Sequence, residues 1–216
     1  MQDTSQKCRF YIVRHGETEW NMAHRMQGQQ DSPLTEEGIR QAYERGTTFK
    51  DLEFADAFSS DLFRAQRTAE VVTADHDLVV KTTQLLRERS FGQYEGRRFE
   101  DYQTELRQFL EAREALSETE QWAFKPAPDI ESDSEIVERM MQFIRETAVA
   151  YPGKNVLVVA HGGIMRATLH HLGFYDRLQW KHTGGAVKNL GYFVLESDGI
   201  DFTITETVGI VKPEDL

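Results

Sequence analysis

Two short apolar runs in this 216-residue chain end in the same way. Arg9-Phe10-Tyr11-Ile12-Val13 leads into Arg14-His15-Gly16, and Val156-Leu157-Val158-Val159-Ala160 leads into His161-Gly162-Gly163. Histidine, with an unperturbed pKa of about 6.5, can serve as nucleophile, base or donor near neutral pH. In open α/β sheets, ligands collect outside the carboxyl ends of the strands. Two histidines carried there by separate strands would face one another across one site. The glycines that follow let the backbone approach a ligand and offer N–H groups to an anion. Taken singly, a histidine at a strand end is an ordinary core residue. Two in matching contexts, one of them preceded by Arg14, predict a catalytic pair.

The elements that must position this pair are legible as punctuation. Strands are expected at Arg9–Val13, Ala55–Ser59, Leu78–Val80 and Val156–Ala160, the last an unbroken apolar run suited to burial on both faces. Leu190–Leu195 and Phe202–Thr207 read as a closing pair turned at Asp198-Gly199. Thr35 is placed to cap a helix from Glu36 to about Phe49, and Asp61 to cap one over Leu62–Ala74. Ser132, with Glu135 three residues on, has capping-box spacing for a helix that runs to Tyr151 and stops at Pro152-Gly153. Strands alternating with helices predict the α/β class, a three-layer sandwich with a mostly parallel sheet flanked by helices. A charged, helix-prone stretch to about Ala123, broken by Pro126 and Pro128, predicts a helical lid insertion at about 97–131 within a single domain spanning 1–216.

Composition narrows the function. The net charge of −11 argues against wholesale binding of nucleic acid or anionic membrane, so any bound anion needs a local cationic pocket. No apolar run approaches the roughly 18 residues of a membrane span, and the polar start Met1–Lys7 does not read as a signal peptide. The single cysteine, Cys8, cannot close an internal disulfide, which suits a reducing, cytoplasmic location. His170 and His171 have no convincing metal spacing with His76, His182, Asp75 or Asp77, so no metal site is expected.

Five motifs in order go further. Arg14-His15-Gly16-Glu17-Thr18-Glu19-Trp20-Asn21 is followed by Gln27-Gly28 and by Asp31-Ser32-Pro33-Leu34-Thr35-Glu36-Glu37-Gly38. Then come Ser59–Ala69, containing Arg64 and Arg67, Leu86–Gly92 with Glu95-Gly96, and Ala160-His161-Gly162-Gly163. Together, over roughly residues 9 to 195, they resemble the histidine phosphatase superfamily, the phosphoglycerate-mutase-like proteins. The resemblance implies catalysis by His15, Glu88 and His161, and phosphate binding by Arg14, Asn21, Gln27, Gly28, Arg64 and Gly162, without metal or cofactor.

These residue types suit that chemistry. A phosphate monoester carries about −1.5 to −2 charges, and an arginine fork can meet two of its oxygens. Neutral His15 can attack phosphorus, His161 can donate to the transferring oxygens, and Glu88 can protonate the leaving oxygen and later deprotonate water. The expected activity is that of a phosphoric monoester hydrolase of the histidine acid phosphatase type. Its substrate would be a small phosphorylated metabolite, a sugar phosphate or bisphosphate, with the protein a monomer or homodimer.

Departures from the mutase pattern favour hydrolysis. Where cofactor-dependent mutases carry a lysine three residues past the glycine matching Gly96, this chain has Phe99. Trp122 is followed by Ala123-Phe124 rather than by two arginines, and Gly162 by Gly163 rather than by asparagine. The sequence is similar to fructose-2,6-bisphosphatase-like and broad-specificity phosphatases, although Pro128-Asp129-Ile130-Glu131-Ser132 lacks the family's usual glycines. Arg89, Arg97 and Arg98 are candidates for a second phosphate or for pairing with the acidic helix. A catalytically inactive binding or regulatory module is the reading from a different class; its usual mark, a missing histidine, arginine or acid, is absent.

Overall fold

The two histidine-bearing runs lie side by side. In the computed structural model, which describes residues 6–175 and 187–215, β1 (Cys8–Arg14) pairs in parallel with β4 (Asn155–Ala160), with Arg14 opposite Ala160. Strands β2 (Phe54–Ser60), β3 (Val80–Thr83), β5 (Val187–Ser197) and β6 (Phe202–Ile210) complete a sheet of order β3-β2-β4-β1-β5-β6. Pairings β2–β3, β2–β4 and β1–β4 are parallel; β1–β5 and β5–β6 are antiparallel. His182 and residues 1–5 of the polar start lie outside the described residues.

The sheet is covered on both faces because its central strands are apolar on both. Phe10, Ile12, Val156, Val158 and Ala160 pack with Ile136, Met140 and Ile144 of α7 (Asp133–Ala150) and with Ile164 and Leu169 of α8 (Gly162–His171). Tyr11, Val13, Leu157 and Val159 point the other way, onto Ala42 and Phe49 of α2 (Glu36–Phe49) and Ala65, Ala69 and Val72 of α3 (Phe63–Val72). Val156 to Ala160 are fully buried, as a two-sided apolar strand must be. This is the expected α/β sandwich.

Caps set where the helices begin. Thr35 accepts from Gly38 N at 2.9 Å, and Ser132 and Glu135 form the anticipated capping box. The expectation for Asp61 fails: its carboxylate is taken by Arg87, at 2.7 and 2.6 Å, and Leu62 stands at the N-cap without a side-chain bond. Asp31, from a distant loop, caps α3 instead, accepting from Phe63 N at 2.7 Å and Arg64 N at 3.3 Å. The strand expected at Leu78–Val80 begins only at Val80, where pairing with Ala57 starts; Val79 is exposed. An edge strand with one neighbour needs no apolar run.

Before β2 lies a one-turn helix, α1 (Glu19–Met22), capped by Thr18. The charged stretch forms three short helices, α4 (Phe99–Glu105), α5 (Arg107–Glu114) and α6 (Glu118–Ala123), rather than a continuous one. They have a small apolar cluster of their own, in which Tyr94, Leu106 and Ile130 are buried. Among the described residues no helix is long and apolar enough to cross a membrane.

Candidate active site

The β1–β4 ladder continues one step past the strands, with His15 N donating to Ala160 O at 3.0 Å, so both histidines leave the sheet at the same level. Their ring centroids are 5.2 Å apart, and both residues are buried. His15 Nδ1 lies 2.7 Å from Gly16 O. A carbonyl can only accept, so Nδ1 carries the proton and Nε2 keeps the lone pair a nucleophile needs. Burial, then the charges of Arg64 and Arg14, holds His15 well below its ordinary pKa. Burial, with Arg64, His15 and Arg14 adding to it, does the same to His161. Both are therefore neutral at pH 7.

Two guanidinium groups are brought here from different layers. Arg14, at the end of β1, donates from Nη1 to Val187 O at 2.6 Å, and its Nε is buried without a partner. It runs beside Gly162, where a Cβ would lie 3.1 Å from Nε. Arg64, in the first turn of α3, is 1% exposed. Its Nη1 donates to Gln30 O and Asp31 Oδ1 at 2.7 and 2.8 Å, and its Nη2 to Gly28 O at 2.7 Å. Its Nε, too, is buried without a partner, as are both ring nitrogens of His161. Buried polar atoms are ordinarily satisfied, because each orphan costs about 1–3 kcal/mol. Unmet polar atoms on Arg14, Arg64 and His161, beside a neutral His15, are what an anion-binding pocket requires.

Glu88 reaches the same place from the loop after β3. Its Oε2 accepts from Gly163 N at 2.7 Å, and its Oε1 from Ile164 N at 3.0 Å and Arg89 N at 2.8 Å. Asn21 Oδ1 is engaged by Thr18 N and Asn189 Nδ2, leaving its amide N–H₂ as the donor available to an oxyanion. Gln27 is buried, and its Oε1 accepts from Ser32 Oγ at 3.4 Å. Gly28 O accepts from Arg64 Nη2; its φ of +53° suits glycine, and a side chain there would run into Glu95.

Of the other candidate arginines, two are paired with carboxylates. Arg89 pairs with Asp133 and donates to Glu131 O at 3.1 Å; Arg97 pairs with Glu105; Arg98 is exposed at the start of α4. Among the described residues no three His, Cys, Asp or Glu side chains cluster as a metal site would need.

Some supporting residues escape a sequence reading. Asp31 joins the α3 cap to Arg64, and Glu95 accepts from Gln29 N, Gln30 N and Phe91 N, fixing the loop that carries Gly28. Asn189 donates to His15 O at 3.0 Å. Asp31 and Glu95 stand inside recognisable motifs, but nothing in their spacing says what they hold.

The model of the histidine phosphatase superfamily, branch 1, matches residues 10–208. The chain belongs to this superfamily. A relative named "Uncharacterized phosphatase PhoE", from Bacillus subtilis, is 34% identical over 76% of this chain and 77% of its own length. One named "Probable phosphoglycerate mutase GpmB", from Erwinia tasmaniensis, is 37% identical over 74% and 73%. The solved structure of a mycobacterial glucosyl-3-phosphoglycerate phosphatase with VO3 superposes with a TM-score of 0.78 at 26% identity, covering 94% of this chain and 99% of that one. As a histidine phosphatase family member, the chain is a phosphatase or mutase acting on small phosphorylated substrates.

Proposed function

We propose that the protein is a metal-independent phosphomonoester hydrolase working through a phosphohistidine on His15. Its substrate is a small phosphorylated metabolite of the sugar phosphate or bisphosphate class. The observation that carries this reading is the set of unmet polar atoms on Arg14, Arg64 and His161 beside a neutral His15. His15 Nε2 attacks phosphorus, the bond from phosphorus to the leaving oxygen breaks, and Glu88 gives that oxygen a proton. Water then attacks the phosphohistidine, Glu88 takes the water's proton, the P–N bond breaks and inorganic phosphate leaves. Arg14, Arg64 and His161 meet the charge on the transferring oxygens, with Asn21 and Gly162 N as neutral donors, so the two arginines supply what a divalent ion supplies elsewhere. Gln27 and Gly28 shape the loop around Arg64. Helices α4–α6 serve as a lid over the leaving group.

Hydrolysis is favoured over mutation because retaining a bisphosphate needs more cationic clamps. Phe99 is 44% exposed and carries no charge, and Arg97 is already paired with Glu105.

Rapid-quench measurements with ³²P-labelled p-nitrophenyl phosphate and phenyl phosphate test the scheme. Label should be trapped on His15, and activity should survive EDTA. Glu88→Gln should slow the burst with phenyl phosphate roughly 10²–10⁴-fold and the p-nitrophenyl burst far less, because p-nitrophenolate leaves without a proton. Label on His161, or equal slowing of both bursts, would overturn the assigned roles. Interconversion of 3- and 2-phosphoglycerate far faster than phosphate release would make the protein a mutase.

A further inference from the structure

Helix α8 starts directly after His161, which stands at its N-cap and makes no capping hydrogen bond. The first N–H groups of a helix have no partner within it. Here the partner comes from another segment: the Glu88 carboxylate spans Gly163 N and Ile164 N, while Arg89 N holds it from its own loop. Gly162, the first residue of the helix, lies beside Arg14, whose Nε would be 3.1 Å from a Cβ built there.

The carboxylate sits where a side chain at position 163 would have to be. A Cβ built on Gly163 would lie 2.5 Å from Glu88 Oε1, 2.9 Å from Cδ and 3.0 Å from Oε2, closer than non-bonded atoms approach. Backbone conformation does not explain the glycine, since Gly163 is not among the residues with positive φ and lies inside a helix. Helix propensity argues against it, glycine being the poorest helix former after proline. The atoms in the way belong to the free end of a flexible side chain, so a Cβ would move the carboxylate and leave the backbone in place.

We infer that Gly163 is a positioning residue for proton transfer: its missing side chain is the space in which Glu88 docks on the start of α8, one residue from Gly162 N. The catalytic consequence rests on the hydrolase reading above; the docking does not. In this chain even a Cβ at 163 displaces the carboxylate from its seat on α8, and with it the acid from the leaving oxygen.

A double-mutant cycle of Gly163→Ala and Glu88→Gln tests this with the two aryl phosphates. Gly163→Ala should slow the phenyl phosphate burst at least tenfold and the p-nitrophenyl phosphate burst less than threefold, on the scale of losing a general acid. Added to Glu88→Gln it should do nothing more, because both changes remove one interaction. A thermal cycle needs no substrate. Glu88→Ala should lower the Tm of the parent by about 2–4 °C, as loss of a helix cap does, and leave the Tm of Gly163→Ala unchanged. Additive Tm losses would overturn the docking, and so would a further burst loss in the double variant. Were the parent inert toward every phosphomonoester, the hydrolase reading would fail while the thermal cycle still judged the docking.

Discussion

The strand-end pocket and the helices α4–α6 are held in opposite ways. In the pocket, backbone atoms do most of the holding: Gly16 O takes His15, Val187 O takes Arg14, Gly28 O and Gln30 O take Arg64 with Asp31 beside them, and two N–H groups of α8 take Glu88. In the helical segment, charged and aromatic side chains carry more of the load. Arg113 and Arg89 share Asp133, Arg97 pairs with Glu105, Lys125 pairs with Glu135, and Trp122 stacks on His170 with ring centroids 4.9 Å apart. The pocket is anchored to a sheet buried on both faces, whereas α4–α6 rest on a cluster with three buried residues. Backbone partners keep their geometry whatever the neighbouring side chains become. Side-chain pairs can be exchanged. Chemistry that needs sub-ångström placement belongs on the first kind of support.

Substitutions in the two regions should therefore differ in kind as well as size. The largest effect belongs to the pocket: His15→Ala should abolish turnover of every phosphomonoester and leave no labelled protein after acid-free quenching, which filter-binding of ³²P checks. Turnover that survives without His15 would remove the phosphohistidine from the scheme. Arg64→Ala should lower kcat for p-nitrophenyl phosphate roughly 10²–10³-fold, the usual cost of losing one oxyanion donor. Asp31→Asn, which keeps one acceptor oxygen and turns the other into an amide donor, so that Arg64 and Phe63 N are no longer both met, should cost about tenfold; equal losses would mean that Asp31 acts otherwise than through Arg64.

The contrasting change is Asp133→Asn, which leaves the arginines Arg89 and Arg113 without their shared carboxylate. Calorimetry should find a stability loss of about 3 kcal/mol, the scale for breaking a largely buried ion pair. The p-nitrophenyl phosphate burst should stay within about threefold of the parent, because that rate depends on the strand-end pocket alone. A burst that collapses together with the Tm would show that the two regions are coupled more tightly than their contacts imply.

A further contrast is a pH dependence written into the pocket. His15 and His161 have folded-state pKa values well below the ordinary 6.5. Above pH 6.5 neither state binds these protons, and their contribution to stability is complete. Below it the unfolded chain takes them up while the folded protein does not, so stability falls with pH until the folded-state pKa is reached. Each histidine should contribute about 1.4 kcal/mol of loss per pH unit within that window. Urea unfolding at pH 7, 6 and 5 should show the decline, and His161→Gln should reduce its slope. An unchanged slope would mean that His161 is not held neutral by the pocket.

The local part of this structure was written in the local chain. An unbroken apolar run such as Val156–Ala160 has to be buried on both faces, and a threonine or serine placed like Thr35 or Ser132 has to satisfy the N–H groups three residues on. Hence the sandwich, most element boundaries and the placing of His15 and His161 at neighbouring strand ends could be read directly. Where a polar side chain had a choice of partners, the sequence did not decide. Asp61 is as well spaced for a cap as Ser132 is, yet it went to Arg87, because folding brought a guanidinium within 2.7 Å and supplied Asp31 to α3 in its stead. The lodging of Glu88 against Gly163, the grip of Gly28 O on Arg64 and the tie from Asn189 to His15 O join residues 75, 36 and 174 positions apart. Hydrophobic pattern and capping act over a few residues, so they are fixed before the chain folds. Charges and carbonyls pair by distance in space, and only the packed tertiary structure sets those distances.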